Sequence, residues 1–339
     1  MSAVSRMTVS RVLNGKGEIT QETRERVLAA IAAVDYRPNH AARSLVRRRT
    51  ESIAFVAWDM ANPYFGEMAR GVQQVAELDG YITAIYSSHG NLGRHLSLLR
   101  HFMDGRVDGV VVTFPFDGDV RSELAQLVSA GIPVVCIAGS AGADPPIDNV
   151  HADLADGVRQ VIDHLLRLGH RHVAYIGADL SSQEQKLCAY RTVMADAAIS
   201  TPAEYVQESD RGFESGCLAA ARLLSLPTPP TAVFAGAADL VALGVIRAAA
   251  EFGLSVPEAL SVVGFNDVPV AAAVTPALTT VAEPHLAAGE QAARLLLERL
   301  ATADQAPGRD LLLPCRLVVR GTTAALHNAR SSSIDVPVK

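Results

Sequence analysis

The sequence predicts an α/β protein, two units built on parallel sheets with crossover helices behind a small, basic, all-helical head. Three observations predict it. From about residue 50 onward, short β-rich runs alternate with helical patterns, which is how parallel strands with crossover helices read in sequence. The first 50 residues lack that alternation and carry short helical runs instead. The charge also divides there: residues 1–50 hold ten Lys or Arg against four Asp or Glu, and the rest holds 20 against 32. A basic head on an acidic body suggests that only the head meets a polyanion.

At 339 residues the chain exceeds what one hydrophobic core usually supports. Hydrophobic residues at 49% and charged residues at 19% exclude a disordered or fibrous chain. No apolar stretch reaches the length of a membrane helix, so no membrane partner is expected. The start, MSAVSRMTVSRVL, lacks the continuous apolar region and cleavage site of a secretory signal, so a cytoplasmic location is expected. Cys136, Cys188, Cys217 and Cys315 show none of the close pairing of zinc or redox motifs and read as core thiols.

The strand at 52–58 is followed by a helix at 63–78 whose Phe65, Met68, Val72 and Val75 share one face, closed by Gly80. Strand 81–86, helix 92–103, strand 107–114, helix 120–130 and strand 132–137 complete the first unit. The second runs through helix 153–168, strand 172–176, helices 185–198 and 214–226, strand 232–234, helix 239–252 and strand 261–265. A short strand at 278–281, a long helix at 285–300 and β-like runs at 310–314 and 317–320 follow. Ligands of open α/β sheets bind beyond the carboxyl ends of the strands. That rule directs attention to 59–65, 113–116, 138–140, 177–186, 236–239 and 266–268.

In the head, Ser5 precedes a helical run, 6–13, that Asn14-Gly15 ends, and Thr20 offers an N-cap to a second helix. Tyr36-Arg37-Pro38-Asn39 stops that helix, and a short segment, 40–46, leads to Arg47-Arg48-Arg49.

Val4 to Gly15 resembles the recognition helix of the lactose repressor (LacI) family of bacterial transcription regulators. Tyr36-Arg37-Pro38-Asn39 with Ala42, Ser44 and Leu45 resembles that family's hinge. Asn62-Pro63-Tyr64-Phe65, Val107-Asp108-Gly109, Gly169-His170-Arg171-His172, Val262 to Asp267 and Thr275 to Thr280 follow family landmarks in order. The resemblance implies two similar doubly wound parallel-sheet subdomains, periplasmic-binding-protein-like, crossed three times by the chain. It implies a head at 1–38, a hinge at 39–50 and a core at 51–325, followed by a tail at 326–339. Within the core, 51–150 would join 282–309, and 151–281 would join 310–325.

The family's head opens with a further helix, and here Met1 stands three residues ahead of Val4. The head is therefore expected to be truncated and to bind operator DNA more weakly than a chain extended upstream.

A recognition helix presents its N-terminal residues to base edges, so Arg6 and Met7 are candidate readers and Arg11 a base or phosphate contact. Ser5 and Thr8 are candidate phosphate contacts, Ser5 serving also as N-cap. Asn39 belongs to the hinge motif, and Leu45 matches the leucine by which the family wedges the minor groove. In the body, Lys186 stands where the family usually has an Arg, keeping the charge and losing the bidentate fork. Ala138 and Ala238 replace frequent polar residues. Tyr64 and Phe65 offer aromatic faces, Asn266 and Asp267 hydrogen bonds, Thr113 and Glu283 second contacts. Phe65 reads equally as core, Asp239 as a helix cap and Asp267 as a loop brace.

The expected function is a ligand-responsive repressor: a homodimer on a palindromic operator, sensing a sugar or related metabolite and needing no cofactor or metal. A small-molecule-binding module without DNA binding is the alternative. Enzymatic readings find little: the chain has no G-x-G-x-x-G after the first strand and no P-loop, and Ser215 sits wrongly for a nucleophile elbow. His170 and His172 lack an evident third metal ligand.

Overall fold

The computed structural model describes residues 5–13, 19–33, 49–113, 118–137, 147–177, 180–302 and 306–326. The chain divides into two compact units, Met1–Glu51 and Ser52–Lys339. In the first unit, α1 (Arg6–Leu13) begins at Ser5, whose hydroxyl accepts from the Thr8 backbone N–H at 3.2 Å. Thr20 starts α2 (Gln21–Ala33) in the same way, accepting from Thr23 N at 3.4 Å. These caps answer backbone donors that a helix start leaves unpaired. Val12 and Val27 turn inward while Met7 is 64% exposed.

The second unit contains two six-stranded sheets. The first holds β1 (Ser52–Ala57), β2 (Ile82–Ser87), β3 (Gly109–Thr113), β4 (Val134–Ile137), β5 (Asp148–Ala152) and β11 (Asp310–Leu313), in the order β11-β5-β4-β3-β1-β2. The second holds β6 (Val173–Gly177), β7 (Val206–Glu208), β8 (Ala232–Phe234), β9 (Ser261–Asn266), β10 (Thr279–Ala282) and β12 (Arg316–Val318), in the order β12-β10-β9-β8-β6-β7. Pairing is parallel except between β10 and β12.

Both faces of each sheet are covered, so central strands read as continuous apolar runs and alternate residues join opposite cores. Ile53 and Phe55 pack with α3 (Pro63–Leu78) and α11 (His285–Thr302), while Ala54 and Val56 pack with α4 (Leu92–Phe102) and α5 (Gly118–Ser129). In the second sheet, Ala174 and Ile176 face α8 (Phe213–Leu224) and α9 (Asp239–Glu251), and the short α10 (Val270–Ala273) follows β9. Val173 and Tyr175 face α6 (Leu154–Arg167) and α7 (Leu180–Asp196). This is the doubly wound architecture expected.

The two subdomains share a packing device. A Cβ on Gly71 of α3 would lie 2.2 Å from Leu286 O, and one on Gly289 of α11 would lie 2.1 Å from Met68 O. Between α8 and α9 the same holds for Gly216, 2.4 Å from Val241 O, and Gly244, 2.2 Å from Phe213 O. Each helix pair thus closes backbone on backbone through reciprocal glycines, where a methyl group has no room.

Three features correct the sequence expectation. The first sheet extends past Ile137 to β5, whose Asp148, Asn149 and His151 hide it among polar residues. Asp148 is buried and held by Arg299 at 2.8 Å and Arg309 at 3.0 Å. β7 is only three residues long, too short to show a period. β11 pairs parallel with β5 and belongs to the first sheet, whereas the resemblance places 310–325 with the second subdomain. The chain therefore crosses between sheets from β5 to α6, from β10 to α11, and from β11 to β12.

Among the described residues, no helix is long and apolar enough to cross a membrane.

Candidate functional site

The site grows from the carboxyl ends of β8, β9 and β10. Because α7 follows β6, its early turns stand at that edge, and Lys186 reaches inward from them. Its Nζ donates to Gly236 O at 2.8 Å and sits 3.8 Å from the centroid of the Phe265 ring. At the end of β9 the backbone turns left-handed, with φ +111° at Asn266 and +54° at Asp267. Such backbone persists only where its surroundings hold it, and it clusters at ligand sites. Here Asp239 accepts from Val268 N at 2.8 Å, and Arg320 donates to Asp267 at 2.6 Å. Asn266 Nδ2 donates to Glu283 Oε1 at 3.0 Å, and His285 Nε2 pairs with Asn266 O at 3.1 Å.

Burial governs the electrostatics. It pulls the Lys186 ammonium down to about 8, with Glu283 opposing the shift and Arg211 adding to it. It pushes the Asp239 carboxyl up to about 7 against hydrogen bonds from Thr280 and Val268. It holds the His285 imidazole below its usual value despite Glu283. It also raises the Tyr64 phenol well above the ordinary value, with Glu283 adding to the effect. Lys186, Glu283, His285, Arg211 and Tyr64 thus feel one another within one charged cluster. Arg211 adopts φ +70° in the loop after β7.

Tyr64 comes from the other subdomain. Asn62 caps α3 by accepting from Tyr64 N at 3.0 Å, Pro63 fits the first turn, and the Tyr64 ring meets the His285 ring at 4.4 Å. His285 therefore joins Tyr64 of the first subdomain to Asn266 of the second.

Four of the sequence-predicted ligand residues, Tyr64, Lys186, Asn266 and Glu283, come together here. Three have other work. Phe65 is 2% exposed within the core around Val72. The Thr113 hydroxyl donates to Val56 O at 3.1 Å and accepts from Trp58 N at 3.0 Å, tying β3 to β1. Asp267 is paired with Arg320. Ala238 begins α9 without a side-chain cap, and Ala138 lies outside the described residues. Among the described residues, no group of three or more His, Cys, Asp or Glu is placed to hold a metal ion.

In the head, Met7 and Arg11, one turn apart, are exposed on α1. The Ser5 and Thr8 hydroxyls bond each other at 3.0 Å. Arg6 belongs to α1, while Asn39 and Leu45 lie outside the described residues.

His285 and Arg211 were missed as site residues. His285 directly follows Glu283-Pro284, and that adjacency to a predicted contact was the available signal. Arg211 follows a strand that sequence periodicity did not reveal.

Comparison with known proteins covers both the body and the head. Residues 162–323 match the periplasmic binding protein-like domain, and residues 1–39 match the bacterial regulatory proteins of the lacI family. The catabolite control protein A of Priestia megaterium is 31% identical over 326 residues, 95% of this chain and 96% of that protein. The chain belongs to the LacI family. As such it is a ligand-responsive, DNA-binding transcription regulator. The HTH-type transcriptional repressor CytR of Escherichia coli (strain K12) is 30% identical over 331 residues, 95% of this chain and 94% of CytR. The lac repressor dimer bound to operator and the anti-inducer ONPF superposes with TM-score 0.84 at 28% identity, covering 95% of this chain and 96% of that one. A transcriptional regulator CelR–cellobiose complex gives TM-score 0.74 at 29% identity, over 94% of this chain and 96% of that one.

Proposed function

We propose that this LacI-family member is a repressor that binds double-stranded operator DNA as a homodimer. Its effector, a sugar or related small polar metabolite, seats against Lys186, Asn266, Glu283 and Tyr64. The observation that carries this reading is Lys186: a buried ammonium with three donors makes one hydrogen bond among the described residues, to Gly236 O. A buried cation is costly unless matched, and the strand ends where it lies are where α/β sheets take ligands. The CelR–cellobiose complex supports a carbohydrate effector, and the lac repressor dimer supports two heads on one operator.

Phe65, Thr113 and Asp267 brace the site, and Met7, Arg11, Arg6, Ser5 and Thr8 serve the DNA face, with Asn39 and Leu45 in the hinge. The protein acts in the cytoplasm, where its operator lies, and it binds its effector without turning it over.

A thermal-shift screen of sugars, sugar acids and nucleosides, followed by calorimetry on the hit, tests the site. Lys186→Ala and Asn266→Ala are each expected to cost about 1–3 kcal/mol of binding, because a polar partner is left stranded. Unchanged affinity in both moves the site elsewhere.

A further inference from the structure

Beneath Lys186 lies a second polar group that the site described above does not use. Tyr175 and Phe234 stand side by side on the paired strands β6 and β8, and each is followed two residues later by glycine, Gly177 and Gly236. The Tyr175 ring lies along its strand toward the carboxyl end. A Cβ on Gly177 would fall 2.8 Å from ring atom Cε1 and 3.2 Å from the hydroxyl. A Cβ on Gly236 would fall 2.5 Å from Cε2 and 3.1 Å from the same hydroxyl. The two glycines thus form a slot in which the ring rests, with its hydroxyl at the end of the sheet.

The ring is fixed from behind by Tyr190, stacked at 5.2 Å, and from the side by Phe234 at 5.5 Å. Tyr190 stands one turn after Lys186 on α7, and Lys186 donates to the carbonyl of Gly236, so ammonium and phenol flank the same residue. The Tyr175 residue is 1% exposed, and its hydroxyl has no hydrogen-bond partner among the described residues. Leaving a buried hydroxyl unpaired is unfavourable, and each such group calls for an explanation. Phenylalanine would fill the slot as well without that cost.

We propose that Tyr175 is a specificity-determining contact of the effector site: its hydroxyl and the Lys186 ammonium together receive one acceptor oxygen of the effector, the atom that reaches deepest into the second subdomain. This rests on the effector site proposed above. Two donors sharing one partner select an acceptor, a carboxylate or hydroxyl oxygen, over an amine. Burial raises the Tyr175 pKa, so the phenol keeps its proton and remains a donor.

The test uses the full chain, Tyr175→Phe, and a panel of aldoses, disaccharides and sugar acids that includes D-ribose, cellobiose, D-glucose and D-gluconate. Titration calorimetry gives affinity, and the melting temperature without ligand gives stability. Tyr175→Phe is expected to bind the panel member about tenfold more weakly, a loss of about 1.4 kcal/mol, while melting at or above the unmodified temperature. A penalty confined to D-gluconate relative to D-glucose assigns the acceptor as carboxylate, and an equal penalty assigns it as hydroxyl. Unchanged affinity in Tyr175→Phe, with Lys186→Ala still weakened, overturns the role of Tyr175 and leaves the site standing. Unchanged affinity in both variants overturns the site itself. A melting temperature lowered by several degrees in Tyr175→Phe means that the hydroxyl has a structural partner, and overturns the proposal. So does a protein bound by no member of the panel.

Discussion

At the carboxyl edge of the first sheet, the Thr113 hydroxyl is consumed by backbone, accepting from one residue of the β1 segment and donating to another. At the matching edge of the second sheet, Lys186, Asn266 and Glu283 bring a cation, an amide and a carboxylate together around left-handed backbone. The strand orders correspond and the glycine-paired helices correspond, yet the polar chemistry does not. A repeated backbone builds two matching edges without requiring that both carry the same chemistry. One edge is a braced wall that offers the Tyr64 ring, and the other gathers a cation, an amide and a carboxylate.

The comparison is broken most severely through the first subdomain's buried ion pair. Asp148→Ala leaves the buried Arg299 guanidinium without its carboxylate, still donating to the carbonyls of Ala306 and Pro307, and a loss of about 3–5 kcal/mol is expected in denaturant unfolding. Burial alone would raise the Asp148 pKa, but hydrogen bonds from Arg299 and Arg309 override it and hold the carboxyl at about 2. A folded value below the unfolded one, about 3.9, gives stability that is present above that pH and is lost as pH falls toward about 2. Acid unfolding of Asp148→Asn should lack this component.

Next come the glycine contacts. Gly289→Ala and Gly244→Ala should each destabilise by about 1–3 kcal/mol or more, since the new methyl meets a backbone carbonyl that cannot rotate away. Similar losses in the two subdomains would sharpen the structural likeness, and a loss in only one would break it.

The third prediction concerns the chemical difference. Lys186→Met should raise stability at pH 7 by on the order of 2 kcal/mol while weakening effector binding. The sign follows from a folded pKa of about 8, below the ordinary lysine value: the cost of the buried charge is present in full below about 8 and is relieved as pH rises toward 10.5. Thermal melts of the two proteins should therefore converge above pH 10. A variant less stable than the parent at pH 7 would show that the ammonium is a structural bond.

The smallest effect lies in the head. Arg11→Ala should lower DNA affinity modestly and reduce the slope of log affinity against log salt by about 1 if it neutralises one phosphate. A salt titration by anisotropy measures it, and an unchanged slope with altered sequence preference would make Arg11 a base reader.

Much of this was legible in the residues. Runs such as Ile53–Ala57 announce strands buried on both faces, and Asn62-Pro63 announces the start of α3. β5 was not legible, because Asp148 takes its strand position through partners distant in sequence, Arg299 among them, and the backbone of Asn149 through Arg309. Asn266 could be found because a polar residue at a strand end stands out, and Lys186 because the family resemblance puts a cation at its position. Tyr175 could not, since a tyrosine inside Val-Ala-Tyr-Ile-Gly reads as packing, and only the geometry of its two glycine neighbours shows the hydroxyl unanswered.

The three chain crossings have a mechanical consequence. A single tether lets two bodies swing and slide in any direction, whereas three tethers side by side resist separation and shear and leave rotation as the easy motion. The crossing from β10 to α11 carries Glu283 and His285, so a molecule seated against them works close to the pivot, with a short lever arm. For any rotation about such an axis, points at the far rim of the sheet, such as β2, travel in proportion to their distance from it. A connection of this build is a displacement amplifier, since a small angle at the crossings becomes a larger excursion at the periphery.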